Sequence, residues 1–134
     1  MLNRRQLLLG PLCLLVACSS SHTPADPIWG KQPCAHCRML VSDPRFAAQA
    51  RTARGETVYF DDVGCLVSYL AEHRDSRASW VRAQSGQWLD AKTARYRAGA
   101  ATPMDFGFIV DPKGTFDLAA VQSALARRTE RRTS

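Results

Sequence analysis

Thr57-Val58-Tyr59-Phe60-Asp61-Asp62-Val63-Gly64-Cys65-Leu66-Val67-Ser68-Tyr69-Leu70 is the stretch where the hydrophobic period changes. Its first four residues are β-branched or aromatic, as in a strand. Beyond the two aspartates, Val63, Leu66, Val67 and Leu70 recur at helical spacing, which predicts an amphipathic helix over 63–73. Asp61 or Asp62 can cap it, since a short carboxylate accepts from the free N–H groups of a first turn. Upstream, Arg54-Gly55-Glu56 is a hairpin-type turn that returns 46–52 as the neighbouring strand.

Working outward, 39–41 reads as a short strand stopped by Asp43-Pro44, and 79–83, 87–89 and 93–97 as further extended pieces. Residues 106–110 are β-rich and end at Asp111-Pro112-Lys113-Gly114, a strong turn signal. Leu118, Val121, Gln122 and Leu125 share one side of a closing helix over 116–128. The expected fold is α+β: a small mixed sheet with two helices, near 62–73 and 116–127, arranged as two similar β-β-α units. About 100 residues suffice for one core, so a single domain over 28–126 is expected, with Trp29, Trp80 and Trp88 in its core or at its edge.

The N-terminus has a different character. Arg4 and Arg5 precede an apolar run over 7–16, too short to cross a bilayer as a helix, and Leu15-Val16-Ala17-Cys18 closes it. This resembles a bacterial lipobox, which implies a signal peptide over 1–17, cleavage before Cys18 and acylation of that cysteine. Arg4-Arg5-Gln6 also resembles a twin-arginine export signal. Residues 18–27, rich in serine and proline, read as a lipidated flexible tether. Loss of the leader takes the formal charge from +6 to +4. Arg127, Arg128, Arg131 and Arg132 concentrate it in a basic tail, 127–134, expected to be disordered. Nothing in the chain matches a nucleic-acid recognition motif.

Five cysteines become three once Cys13 leaves and Cys18 is acylated: Cys34, Cys37 and Cys65. An odd count outside the cytoplasm leaves one thiol that no internal disulfide can use. Cys34-Ala35-His36-Cys37-Arg38-Met39 is the densest group, with two thiols, an imidazole and a thioether within six residues. A C-x-x-C segment turns both sulfurs to one side of a loop, which suits a metal, a disulfide or a redox dithiol. Zinc ordinarily takes four nitrogen or sulfur ligands, and a second ligand pair is missing. Thiolate and thioether together favour Cu(I). Cys37 and Met39 would share a face of an extended strand. Cys65 lies about 150° from the centre of the helical stripe, counting 100° per residue, so it is free to meet a loop such as 34–39. Met104 has the parity of Phe106, Phe108 and Val110, the core face of a strand. The aspartates are expected to cap rather than to ligate, being hard donors. Neither a phosphate-binding glycine loop, nor a Ser/His/Asp arrangement, nor a carboxylate pair points to an enzyme.

Cys34-x-x-Cys37-x-Met39, then Tyr59-Phe60-Asp61-Asp62-Val63-Gly64-Cys65, then Pro103-Met104, resembles the nitrous oxide reductase accessory protein family (NosL), copper-binding lipoproteins that face the periplasm. The resemblance spans roughly 29–110 and fits the lipobox. Two positions depart from it: Arg38 and Asp105 stand where that family commonly has glycine, a residue that permits backbone geometry other side chains disfavour. The resemblance implies a membrane-anchored Cu(I) metallochaperone that passes copper to a periplasmic copper enzyme or its membrane assembly machinery, in nitrous oxide reductase maturation. Cys37 and Met39 are expected at the centre of the site, Cys34 and Met104 next, with His36 and Cys65 as lesser candidates. Ser19 after the acylated cysteine implies the outer membrane. Two alternatives stay open: a thiol-disulfide protein using Cys34 and Cys37, or a structural lipoprotein stapled by that disulfide.

Overall fold

The computed structural model describes residues 23–134; the expected signal peptide over 1–17, the expected acylation site Cys18 and the start of the expected tether lie outside the described residues. The elements are β1 (Ala48–Arg51), β2 (Thr57–Phe60), α1 (Val63–Glu72), β3 (Ala78–Arg82), β4 (Trp88–Asp90), β5 (Tyr96–Arg97), β6 (Ile109–Val110) and α2 (Leu118–Thr133). Four strands form one sheet in the order β2-β1-β3-β4, and β5 and β6 form a separate ribbon. The fold is the α+β arrangement of a small sheet and two helices that the sequence implies. Strand neighbours are antiparallel, and the parallel component is a single bridge from Cys34 to Tyr59. The first half is β-β-α as expected; in the second, the β5–β6 ribbon lies between the β3–β4 hairpin and α2.

Alternation along the strands separates two faces. Ala48, Ala50, Phe60 and Val81 are buried in the core with Val63, Leu66 and Val67 of α1 and Val121 and Leu125 of α2. Gln49, Tyr59 and Trp80 are aligned across β1, β2 and β3 on the other face. That face is covered by the chain leading into the domain. The fully buried Gln49 amide accepts from the Ala25 N–H at 3.2 Å and donates to the Ala25 carbonyl at 3.0 Å, which also receives the Tyr59 hydroxyl at 3.1 Å. Asp26 takes Arg82 at 2.6 Å and the Trp88 indole N–H at 2.8 Å, and these bonds hold its carboxyl below the usual carboxylate range. Residues 25–27, expected in the tether, are therefore a strap bonded across the sheet.

Three other expectations change. Residues 127–133 are helical and continue α2, so the basic tail is not a loose end. Asp117 caps that helix through the Ala120 N–H, and Arg131 and Arg132 in its last turn complement the helix dipole. The strand expected over 106–110 is reduced to two residues, because Gly107 at φ +82° turns the chain. Of 39–41, only Leu40 pairs, in a bridge to Pro33.

Candidate metal centre

Three pieces of chain meet at the N-terminus of α1. The first is the loop 33–40, closed by Cys34 N–H to the Met39 carbonyl (2.7 Å), Arg38 N–H to the Cys34 carbonyl (3.0 Å) and Val41 N–H to the Gln32 carbonyl (2.8 Å). Ala35 N–H reaches the Tyr59 carbonyl at 2.8 Å, which fastens the loop to the edge strand β2. The second is the β2–α1 junction. Asp62 caps the helix by accepting from the Gly64 N–H at 2.9 Å. The third is the turn 102–107. Its Met104 N–H donates to the second oxygen of Asp62 at 2.9 Å, and its Gly107 N–H to the Thr102 hydroxyl at 3.0 Å. One fully buried carboxylate thus joins two of the three pieces.

This arrangement gathers the sulfurs of Cys34, Cys37 and Cys65 and a carboxylate oxygen of Asp61 within 4.8 Å of one another. Cys34 and Cys65 are fully buried, Asp61 nearly so, and Cys37 is half-buried. All three thiols are free. The Cys37 thiol donates to Asp61 at 3.2 Å. A bond from the Cys65 thiol, helped by the N–H groups of Cys37, Asp61 and His36, lowers Cys34 to about 6 against its own desolvation. Burial, with Asp61 and Cys34 nearby, raises Cys37 to about 11. Donation to Cys34, then burial, pushes Cys65 up further still. The donors around Cys34 thus favour its thiolate, while burial and the neighbouring groups favour the protonated forms of Cys37 and Cys65.

The expected ligands divide accordingly. Cys34, Cys37 and Cys65 converge, and Cys65, read from the sequence as a lesser candidate, sits at the buried end of the group. His36 is exposed and stands outside the four-residue group. Met39 is 58% exposed on the same loop, so it is not a core residue. Met104 is 37% exposed in a turn; the strand parity that would have buried it does not apply. Its backbone is nonetheless tied to the residue next to Asp61. Asp61 was not legible as a member, because adjacent aspartates before a helix look alike as caps. Their alternation in extended backbone decides it: Asp62 turns to the helix end and Asp61 to the thiols.

Gly64 explains another part of the motif. A Cβ there would lie 2.0 Å from Cγ of Phe106, so the ring seats directly on the helix backbone. The two non-glycine residues of the described chain with positive φ are Arg38 (71°) and Asp105 (59°), beside Met39 and Met104 respectively. A side chain in this region costs roughly 1–2 kcal/mol, less for aspartate.

Three soft sulfurs and one hard oxygen make a group capable of coordinating a metal ion. No family model matches the chain, and neither a curated protein nor a solved structure matches it.

Proposed function

We propose that the protein is a Cu(I)-binding metallochaperone, anchored to a membrane through Cys18 and facing the periplasm, that passes copper to a periplasmic copper enzyme or its assembly machinery, as in nitrous oxide reductase maturation. The observation that carries this reading is the convergence of Cys34, Cys37 and Cys65 with two thioether-bearing segments at its margin. Thiolates suit Cu(I), and low coordination numbers suit a donor set of two or three sulfurs. A buried thiol cluster with an exposed thioether beside it also fits transfer, since an incoming ligand can bind before the last thiolate leaves. The NosL resemblance has its own support: the two positions where that family commonly has glycine are the two non-glycine residues whose φ is positive here.

The carboxylate of Asp61 favours one second reading. Cys34, Cys37, Cys65 and Asp61 supply the four donors that Zn(II) takes in a tetrahedral site. Anaerobic titration of reduced protein with each ion, against a competing chelator, decides between them. One Cu(I) per chain is expected, held far more tightly than Zn(II). Cys37→Ser and Cys65→Ser should each weaken Cu(I) at least about ten-fold, an effect of roughly 1.4 kcal/mol. Met39→Leu should speed copper loss with little change in thermal stability, because it deletes an exposed sulfur. Tighter Zn(II) than Cu(I), or unchanged Cu(I) affinity in the cysteine variants, would refute the copper reading.

A further inference from the structure

α1 and α2 run antiparallel. The C-terminal half of α1 lines a groove with α2 over 117–129, and Arg128 of α2 reaches the turn that packs on the first turn of α1. The contact there is explicit. Arg128 donates to the Phe106 carbonyl at 2.6 Å and lies over the Phe108 ring, while Phe106 seats on Gly64. Arg128 therefore lies at the end of the molecule that holds the thiol cluster, and Arg127, Arg131 and Arg132 stand within four residues of it on the same helix. Beyond Leu125, the last buried residue, α2 continues for two exposed turns.

That end is cationic and apolar together. Lys31, Arg38, Arg127, Arg131 and Arg132 are exposed, and none forms an ion pair among the described residues. Residues 28–42 contain no aspartate or glutamate. The exposed acids here are Asp105 and Glu130, since Asp61 and Asp62 are buried. The large hydrophobic side chains exposed among the described residues are Ile28, Met39, Leu40 and Met104, at 66%, 58%, 51% and 37%. Met39 and Leu40 sit on the loop that carries Cys34 and Cys37, Met104 on the turn bonded to Asp62, and Ile28 in the turn that leads into the loop. Exposed apolar groups gathered at one place mark an interaction surface.

The strap says which way this end points. The Thr23 carbonyl accepts from Arg51, whose guanidinium also reaches the Gly55 carbonyl in the β1–β2 turn. From there the chain passes Gln49 and reaches Arg82, then enters the metal loop. The chain toward Cys18 thus departs at the hairpin end, opposite the thiols. Four residues stand between Cys18 and Thr23, a reach of at most about 18 Å over five residue steps. An anchor at Cys18 holds the hairpin end to the bilayer and leaves the thiol end facing away.

We propose that the thiol end is a docking face for an acidic protein surface with an apolar centre, the acceptor of the metal; this rests on the transfer reading of the site. Complementary charge steers such an encounter, and the exposed methionines and Leu40 form its contact. The anchor geometry favours a protein over lipid headgroups.

The test uses full-length lipidated protein, reduced and copper-free, in phosphatidylcholine nanodiscs. The probe is a labelled peptide with a Met-Leu-Gly-Met core flanked by glutamates, compared with the same core flanked by lysines. Fluorescence anisotropy should show the acidic peptide binding at least about ten-fold tighter at low salt, with the gap closing when salt shortens the screening length. The triple variant Arg127→Glu, Arg131→Glu, Arg132→Glu should reverse the preference and leave Cu(I) affinity unchanged, since these residues lie beyond the core. Equal binding of both peptides, or a preference that survives charge reversal, overturns the proposal. So does slower hydrogen exchange over 127–133 in phosphatidylglycerol nanodiscs than in phosphatidylcholine nanodiscs, which would put the arginines on lipid. Acidic-peptide preference in a protein that binds no Cu(I) would uphold the docking face and refute the copper reading instead.

Discussion

Cys34 is the residue on which the site's chemistry turns. Fully buried, it would ordinarily stay protonated; donation from Cys65 and three backbone N–H groups reverses this and lowers it to about 6. Absorbance at 240 nm of reduced protein should therefore show one thiolate appearing with a midpoint near pH 6. Cys65→Ala removes the first donor and should move that midpoint up; an unshifted midpoint would mean the thiolate is elsewhere. Because the folded pKa lies below the unfolded one, this thiol contributes stability above the ordinary thiol range, and the contribution is lost as pH falls through about 6. Cys37 has the opposite sign: raised to about 11, it favours the fold at lower pH and ceases to do so as pH rises through that value. A second prediction concerns Arg38, at φ 71°. Arg38→Gly removes strain of about 1–2 kcal/mol and costs roughly 0.5–1 kcal/mol in unfolded-state entropy. A net gain of up to about 1.5 kcal/mol in unfolding free energy is expected from denaturation, with Asp105→Gly nearer zero because aspartate tolerates this region. A loss of stability on Arg38→Gly would show that the side chain itself holds the loop. The three cysteines and Met39 were legible in the sequence as candidate ligands from donor chemistry. Asp61 was not, since its role depends on which side of the β2–α1 junction it faces.

At the level of elements, the run from β2 into α1 reads directly from the sequence. Thr57–Phe60 is a strand with the bounds its composition suggests, and α1 starts at Val63 behind its aspartate cap. The same reading holds only in part over 106–110, where a strand is expected and only Ile109–Val110 form one, the chain before them turning instead. The reason is tertiary. Phe106 packs on Gly64, Arg128 takes the Phe106 carbonyl and Asp62 takes the Met104 N–H, so bonds from both helices replace a strand ladder. This makes Gly64→Ala a sharp test. Alanine gains up to about 1 kcal/mol in helix propensity. Against it stands a Cβ driven into the Phe106 ring, with overpacking that costs about 1–3 kcal/mol. The expected outcome is net destabilisation, with faster hydrogen exchange at Gly107, whose N–H bonds to Thr102. In a Phe106→Ala background Gly64→Ala should cost far less than in the natural chain, because the clash has one partner. An equal cost in both would place the strain outside this contact.

For the whole molecule, the least legible feature was where the fold begins. Ser-Pro-rich sequence before Ile28 has the composition of a linker, and nothing local in it signals order. What orders it is the open face of the sheet, a property of β1, β2 and β3 together. Gln49 is fully buried there, and Ala25 supplies both partners of its amide. Asp26 joins Arg82 to Trp88 on the same face, and Arg82 stacks over Trp29 and Trp88. A fold that begins at Ile28 loses the strap and exposes this face. Each lost hydrogen bond costs about 0.5–1.5 kcal/mol, more where a charged partner is involved. Chains starting at Thr23 and at Ile28 should therefore differ by roughly 2–4 kcal/mol in urea denaturation, with the longer chain the more stable. Asp26→Ala in the longer chain should recover part of that difference as a loss, about 1–2 kcal/mol, since it frees Arg82 and Trp88 while leaving Ala25 on Gln49. The thiol cluster offers an independent readout. Tyr59 carries the strap on its hydroxyl and the loop 33–40 on its carbonyl. Loss of the strap should raise hydrogen exchange at Ala35, whose N–H bonds to that carbonyl, before the sheet itself opens. Equal stability of the two chains would make 23–27 a passive tether.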